Sequence, residues 1–258
     1  MSYEFDGEKY KQASKHQKEW AYEILSGFKL KGNEKILDLG CGDGSISLKI
    51  AKLVPRGYVV GIDNSRGMIE TADKLDRNNL KFILLDINKI NFINEFDLIF
   101  SNATLHWIKN HKFLLNNIYN SLKNNGIIRF NFAGEGNCSN FLRVIKEVIG
   151  YKEYKQFFIN FDWPWYMPNI REYKDLLNNS KFRNIKVWTE NKDRFFKNSD
   201  EMIRWIEQPS IVPFLQYIKG QDKDKFKNDV VNKMIELTQK NDGRCFETFN
   251  RINVFAEK

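Results

Sequence analysis

Cysteine is nearly missing from this chain: Cys41, Cys138 and Cys245 stand far apart among 258 residues. With no CxxC pair, neither a disulfide framework nor a thiolate metal cluster is on offer, so three reduced thiols and no metal site are expected. Also absent is any apolar run near the roughly 20 residues that a membrane-spanning helix needs. The opening MSYEFDGEKYKQ lacks the basic-then-apolar order of a secretory signal. These absences lead to the expectation of a cytoplasmic protein with no membrane partner. Proline is scarce at 5 residues, and neither a Gly/Ser-rich linker nor an internal repeat is found, which favours a single domain over 1–258. The 42% of hydrophobic residues against 29% charged allow a packed interior and exclude wholesale disorder.

What the chain has in excess is positive charge, 41 Lys and Arg against 33 Asp and Glu, for a formal +8. Clustered cations would suggest nucleic acid, because they release counterions from phosphate. Here the lysines are dispersed and accompanied by asparagine, as in Lys123-Asn124-Asn125, a pattern that codon usage alone produces. No specific nucleic-acid partner is expected.

Trp20, Ile24, Leu25 and Phe28 fall on one helical face before the chain breaks at 27–32. Short apolar runs at 36–39, 58–62, 80–85, 96–101 and 126–132 then alternate with helix-like stretches at 45–52, 66–75 and 111–122. That alternation is the pattern of a parallel sheet covered on both faces. The fold class expected is α/β: a doubly wound, Rossmann-like, seven-stranded, mostly parallel sheet with a C-terminal antiparallel strand pair and a helical cap. Residues 1–133 form the core, 134–183 and 197–245 the insertions, and 184–196 and 246–257 the closing strands. The aromatic run FDWPWY at 161–166 precedes Pro168-Asn169, which starts another helix.

The strongest motif is ILDLGCGDGS at 36–45, where the first strand turns into its helix. Gly40, Gly42 and Gly44 remove side chains and permit close approach of a ligand to the backbone. The dinucleotide fingerprint GxGxxG would need glycine at position 45, and Ser45 stands there. Asp38 and Asp43 flank the turn and repel phosphate oxygens, so a cationic ligand without phosphate suits it better. S-adenosylmethionine, with a sulfonium and an ammonium group, is such a ligand. Asp63, in GIDNS after the second strand, is placed to accept hydrogen bonds from ribose hydroxyls. Met68 either lies on an adenine face or packs in the core, and Asp86, in LLDI, either accepts the adenine amino group or caps a turn. Three acidic residues ending three successive strands favour the ligand readings together.

In these motifs the chain resembles the class I S-adenosylmethionine-dependent methyltransferases over about residues 8–133. SNATLHWI at 101–108, the 10–17 segment and the closing RINVFAEK look like the branch that methylates carboxylic acids, among them trans-aconitate, malonyl-acyl-carrier-protein and juvenile hormone acid methyltransferases. The resemblance implies that Asp38 and Gly40 address the methionyl end of the cofactor and that Cys41, Gly42 and Gly44 also contact the cofactor. It further implies that Asp63 holds the ribose, Asp86 and the Ile87 amide the adenine, that Ser101 and Asn102 line the transferring methyl, and that Asn64 and Met68 also border the cofactor. Gln17 either reaches the cofactor carboxylate or is simply exposed. His106 donates to a substrate carboxylate, acts as a base toward a hydroxyl, or lines the wall with Trp107; His16 and His111 are read as structural or exposed. The acceptor implied is a small carboxylic acid held between 101–107 and the 163–166 segment. Its carboxylate is already ionised at neutral pH, so positioning rather than base catalysis dominates.

Three rival readings stand beside this one. A nucleic-acid methyltransferase on the same core would show an Asn/Asp-Pro-Pro-Tyr/Phe motif where Ser101-Asn102-Ala103-Thr104 stands. A nicotinamide oxidoreductase is opposed by Ser45 and the acidic turn. A non-enzymatic module that binds cofactor without turnover is opposed only by the intact constellation.

Overall fold

Strand β1 (Lys35–Leu39) sends Leu37 and Leu39 to one side of the sheet and Ile36 and Asp38 to the other, as the two-residue period of a strand requires. The computed structural model describes residues 4, 5, 7 and 15–258, the side chains of 15, 16 and 209 excepted. Of the 10–17 segment, residues 10–14 thus lie outside the described residues, as does the His16 side chain.

The large sheet has the order β3-β2-β1-β4-β5-β9-β6. Its strands are β1, β2 (Tyr58–Asp63), β3 (Leu80–Leu84), β4 (Phe96–Asn102), β5 (Leu122–Ala133), β6 (Arg183–Asn191) and β9 (Asn250–Glu257). The pairs β1/β2, β2/β3, β1/β4 and β4/β5 are parallel, and β9 runs antiparallel to β5. The seven-stranded, mostly parallel doubly wound fold read from the sequence is therefore the fold of the chain. Helix α1 (Lys15–Ser26) and α2 (Ser45–Leu53) cover one face through Ala21, Leu25, Ile50 and Ala51. The other face is covered by Leu114 and Ile118 of α4 (His111–Ser121) and by Tyr173 and Leu177 of α6 (Ile170–Asn178). Asn169 caps α6, its side chain accepting the Glu172 amide.

The two long closing runs are each broken. Asn191 accepts the Asp193 amide at 2.8 Å, and Asp193 in turn accepts the Phe249 amide at 2.8 Å, an Asx turn that competes with the ladder. Beyond it, β7 (Arg194–Phe196) and β8 (Cys245–Glu247) form a separate antiparallel two-stranded sheet. The expected single pair is thus two pairs in two sheets.

Two compact units result. The first comprises Met1–Glu135, Trp165–Glu190 and Arg251–Lys258, the second Gly136–Pro164 and Asn191–Asn250. Residues 165–183, read as insertion, lie in the first unit, where Tyr173 and Leu177 are core. The second unit holds α5 (Ser139–Ile149), α7 (Ser199–Trp205), α8 (Val212–Leu215) and α9 (Asp222–Thr238). Its centre is aromatic, with Phe141, Phe161 and Trp205 around Phe214 and its neighbours. Gln208 has extended backbone (φ −150, ψ 104) between α7 and α8, because the residue before a proline is pushed out of the helical region. Among the described residues no helix is long and apolar enough to cross a membrane, and no His/Cys/Asp/Glu group suits a metal ion.

Candidate functional site

In an open α/β sheet the strand order reverses between β1 and β4, and a crevice opens at their carboxyl ends. Gly40, Gly42 and Gly44 all have positive φ (74, 55 and 77) there. The room they leave is partly taken by the protein: a Cβ on Gly40 would lie 2.1 Å from Thr104 Cγ2, and one on Gly44 2.6 Å from Phe82 Cζ. These two glycines therefore serve close packing of the turn as well as its curvature. Five of the turn's amides are engaged internally. Gly40 and Cys41 donate to the Ile62 carbonyl, Gly42 to Asp63 Oδ2, Gly44 to the Cys41 carbonyl and Ser45 to Asp43 Oδ1. A phosphate would find few donors, whatever the glycine spacing suggests.

Carboxylates line the same edge. Asp38 is buried and accepts Ser47 Oγ at 2.6 Å. Burial, eased by that bond and aggravated by Asp63, pushes its pKa up to about 7. Asp63 is also raised, chiefly by burial, although it accepts the Gly42 amide at 3.0 Å and the Ser65 amide at 2.9 Å. Asp43 differs from the sequence reading: Lys18 of α1 lies 2.6 Å from it, so its charge is compensated and the acidic character rests on Asp38 and Asp63. Burial first, then these acidic neighbours, hold the Cys41 thiol well above its usual range, so it stays protonated.

The other predicted residues distribute as follows. Met68 is buried at the start of α3 (Arg66–Ala72). Asn64 is exposed. Asp86 caps a short 3-10 turn, accepting the Asn88 amide at 2.8 Å, with the Ile87 side chain buried beneath. Ser101 Oγ donates to the Leu39 carbonyl at 2.8 Å, tying β4 to the end of β1. Asn102 Nδ2 donates to the Gln17 carbonyl at 3.0 Å, so α1 is held to the rim. Ahead of α1, the Phe5 amide donates to Ser65 Oγ at 3.2 Å, and the Phe5 ring lies 5.9 Å from that of Trp107.

Beyond β4 the chain turns sharply at Ala103, whose positive φ of 57 is unusual for a residue with a Cβ. The Ala103 amide is fixed to the Asn131 carbonyl at 2.7 Å. Thr104 Oγ1 then bonds the Gly40 carbonyl at 3.2 Å, linking rim to glycine turn. A 3-10 turn over Leu105–Trp107 follows, with the His106 carbonyl accepting the Tyr166 amide at 2.8 Å and Trp107 packed edge-on to Trp165. His111 is structural: its ring nitrogens meet Tyr173 Oη and the Leu105 carbonyl, and burial lowers its pKa to about 4.

Three polar atoms near this rim, Gln17 Oε1, Asn102 Oδ1 and His106 Nδ1, are buried with no hydrogen-bond partner among the described residues. Such atoms are costly unless a ligand completes them. Burial, with Arg251 and His111 nearby, pushes the His106 pKa well below its usual value, so the ring is neutral at pH 7. Thr104, Asn131 and Arg251 were not singled out from the sequence. The available signal was a polar residue alternating with apolar ones, as in IIRFNFA and RINVFAEK.

Known proteins similar to this chain share its family and fold. The profile of the methyltransferase domain family matches residues 30–160. Malonyl-[acyl-carrier protein] O-methyltransferase 1 of Ilyobacter polytropus is 30% identical, over 82% of this chain and 70% of its own. Trans-aconitate 2-methyltransferase of Enterobacter sp. (strain 638) is 26% identical over 80% of this chain and 79% of its own. Among solved structures, Haemonchus contortus phosphoethanolamine N-methyltransferase 2 in complex with S-adenosyl-L-methionine superposes with a TM-score of 0.62 at 20% identity. That likeness covers 98% of this chain and 56% of the other, and it speaks for the fold.

Proposed function

This chain belongs to the methyltransferase domain family, and from that premise we propose that it transfers the methyl group of S-adenosylmethionine to a small carboxylic acid in the cytoplasm, giving a methyl ester. The observation that carries the cofactor reading is the turn itself. Five of its amides are engaged internally while Asp38 and Asp63 face the edge, which suits a cationic nucleoside and disfavours a pyrophosphate. When bound, the cofactor supplies an electrophilic methyl: the acceptor oxygen forms a C–O bond as the C–S bond breaks, and the electron pair stays on sulfur.

The residues divide the work by chemistry. Asp63 accepts the ribose hydroxyls through the lone pairs that the Gly42 and Ser65 amides leave. Asn64 flanks the ribose, Met68 lies under the adenine, and Asp86 with the Ile87 amide reads the adenine edge. Asp38 and the 40–44 turn surround the amino-acid end. The orphan carbonyl oxygens of Gln17 and Asn102 take its ammonium donors, which is the fit their burial calls for. Ser101, bonded to Leu39, sets the end of β4 beside the methyl. His106, neutral, donates through Nδ1 to the acceptor carboxylate. A ring held so far below its usual pKa is a poor base, which favours this role over proton abstraction. Trp107 supplies apolar wall. The acid acceptor is supported by the relatives that act on malonyl-acyl-carrier protein and trans-aconitate.

Organic and fatty acids, amines and phenols incubated with enzyme and cofactor, then analysed by mass spectrometry, test the acceptor. Methyl esters are the expected products; methylation confined to amines or phenols overturns the acid reading. His106→Ala is expected to lower kcat/KM for the acid about tenfold, the worth of one hydrogen bond, with S-adenosylhomocysteine affinity unchanged. An unchanged rate removes His106 from the site.

The raised Asp38 pKa gives a second expected result. A cationic amino group beside Asp38 favours the ionised carboxyl, so cofactor affinity rises with pH up to about 7 and levels above it. Unfolding of the ligand-free protein shows the opposite contribution from this group. Its folded pKa lies above the unfolded 3.8, so the stability it contributes falls as pH climbs from about 4 to 7. His111, with a folded value of about 4, pulls the other way between there and 6.5. Calorimetric titration with S-adenosylhomocysteine across pH reads the ionisation of Asp38, and a flat profile between pH 6 and 8 contradicts this expectation.

A further inference from the structure

Past Asn131, the polar row at the rim continues to the first side chain of the closing RINVFAEK run, Arg251. β9 runs antiparallel to β5 with Asn253 opposite Asn131 and Arg251 opposite Ala133, and Asn131 is in register with Asn102 of β4. Ile252, Val254 and Ala256 fill the core on one face of the sheet. The strand period therefore sends Arg251 and Asn253 to the other face, with Asn131 and Asn102. Arg251 also sits at the start of β9, which antiparallel pairing brings to the carboxyl ends of β4 and β5, the edge where the rim lies.

The guanidinium is set before any ligand arrives. Arg251 is 3% exposed. Its Nε donates to Asn131 Oδ1 at 3.0 Å and a terminal nitrogen to the Asn131 carbonyl at 3.4 Å, while the group lies 4.7 Å from the centre of the Trp20 ring. Trp20 follows Gln17 by three residues on α1, hence on the same helical side, and the Gln17 carbonyl is held by Asn102. The charge of Arg251 is felt at His106, whose Nδ1 is among the orphaned atoms. Cation, neutral donor and the rim asparagine thus stand on β9, the 3-10 turn and β4 at the same edge of the sheet.

Building on the acid-acceptor reading, we propose that Arg251 binds the acceptor carboxylate, with His106 Nδ1 as the second donor, and so selects acids over amines and phenols. A guanidinium presents planar N–H donors that match a carboxylate, and the rotamer freedom it would lose on binding is already restricted here by Asn131 and Trp20. One carboxylate oxygen stays on these donors while the other attacks: a C–O bond forms, the C–S bond breaks, its electron pair remains on sulfur and no proton moves. As the ester forms, the negative charge vanishes and the ion pair with it. The carboxylate that remains on these donors still carries most of its charge in the transition state, so Arg251 holds substrate and transition state about equally, and its loss falls on KM rather than kcat. An ammonium acceptor is repelled by the same cation.

The test uses the full chain as wild type, Arg251→Gln and Arg251→Lys, with malonyl-N-acetylcysteamine, trans-aconitate and octanoate as carboxylate probes and S-adenosylhomocysteine as the cofactor probe. For the carboxylate that the wild type methylates best, R251Q is expected to raise KM about 30-fold, the worth of one charged hydrogen bond. kcat is expected to stay within about threefold and S-adenosylhomocysteine Kd within about twofold, with R251K recovering part of the KM loss. A purely structural arginine would lower the melting temperature and cofactor affinity together without that split, and this pattern overturns the proposal. An unchanged KM in R251Q removes Arg251 and leaves the acid acceptor standing. A wild type that methylates amines or phenols alone removes the acid reading and this proposal with it. If R251Q does not fold, a crystal structure of the wild type with S-adenosylhomocysteine and trans-aconitate decides: a carboxylate on Arg251 supports the proposal, and one seated on another cation overturns it.

Discussion

Asp63→Asn is expected to weaken S-adenosylhomocysteine binding by on the order of 100-fold, because two hydroxyl bonds to a charged acceptor, each worth roughly 1.5–3 kcal/mol, lose their charge. The same variant is expected to leave the ligand-free fold largely intact. Burial already holds the Asp63 carboxyl above its ordinary pKa, which means that the empty site tolerates the neutral form better than water does. A neutral amide therefore removes a desolvated charge along with one acceptor for the Gly42 and Ser65 amides, and the two effects offset. Calorimetric titration paired with thermal unfolding measures both. A large drop in melting temperature with a proportionate loss of affinity would show Asp63 to be a turn brace, and undiminished affinity would sink the ribose assignment.

How far the sequence carries depends on the range of the interaction. β1 to β5 and the first helices were legible because each writes its own period: KILDL alternates across a sheet buried on both faces, and Ile24, Leu25 and Phe28 repeat at helical spacing. The glycine turn was legible because positive φ at 40, 42 and 44 needs glycine in any context. Arg251, Asn131 and Thr104 were not, since what matters about them is register across β4, β5 and β9 and a turn at Ala103. No local pattern fixes which strand neighbours which. The Lys18 partner of Asp43 was hidden for the same reason: 25 positions separate the two residues, and only the docking of α1 joins them. The break in the closing strands came from a short-range competitor, the Asn191–Asp193 turn, inside a stretch whose apolar alternation reads as continuous.

Gly40→Ala is expected to cost the largest stability of any single methyl added to the site. The residue sits at φ 74, where an L side chain pays about 1–2 kcal/mol. Its Cβ would also fall 2.1 Å from Thr104 Cγ2, 2.3 Å from Oγ1 and 2.6 Å from Cβ. Such overlaps are relieved only by moving backbone, at about 1–3 kcal/mol more. The Thr104 side chain cannot simply swing away, because its hydroxyl bonds the Gly40 carbonyl and the Ala103 amide ahead of it is pinned to Asn131. The strain is therefore shared between glycine turn and rim, and cofactor affinity should fall with stability. A double-mutant cycle separates the two causes. Thr104→Gly removes all three overlapping atoms, so it should restore the steric part of the Gly40→Ala loss and leave the φ part. Thr104→Ala, which keeps the Cβ at 2.6 Å, should restore much less. Equal losses from Gly40→Ala in all three Thr104 backgrounds would mean that the turn relaxes away from the rim, and that the contact between them does not hold the site together.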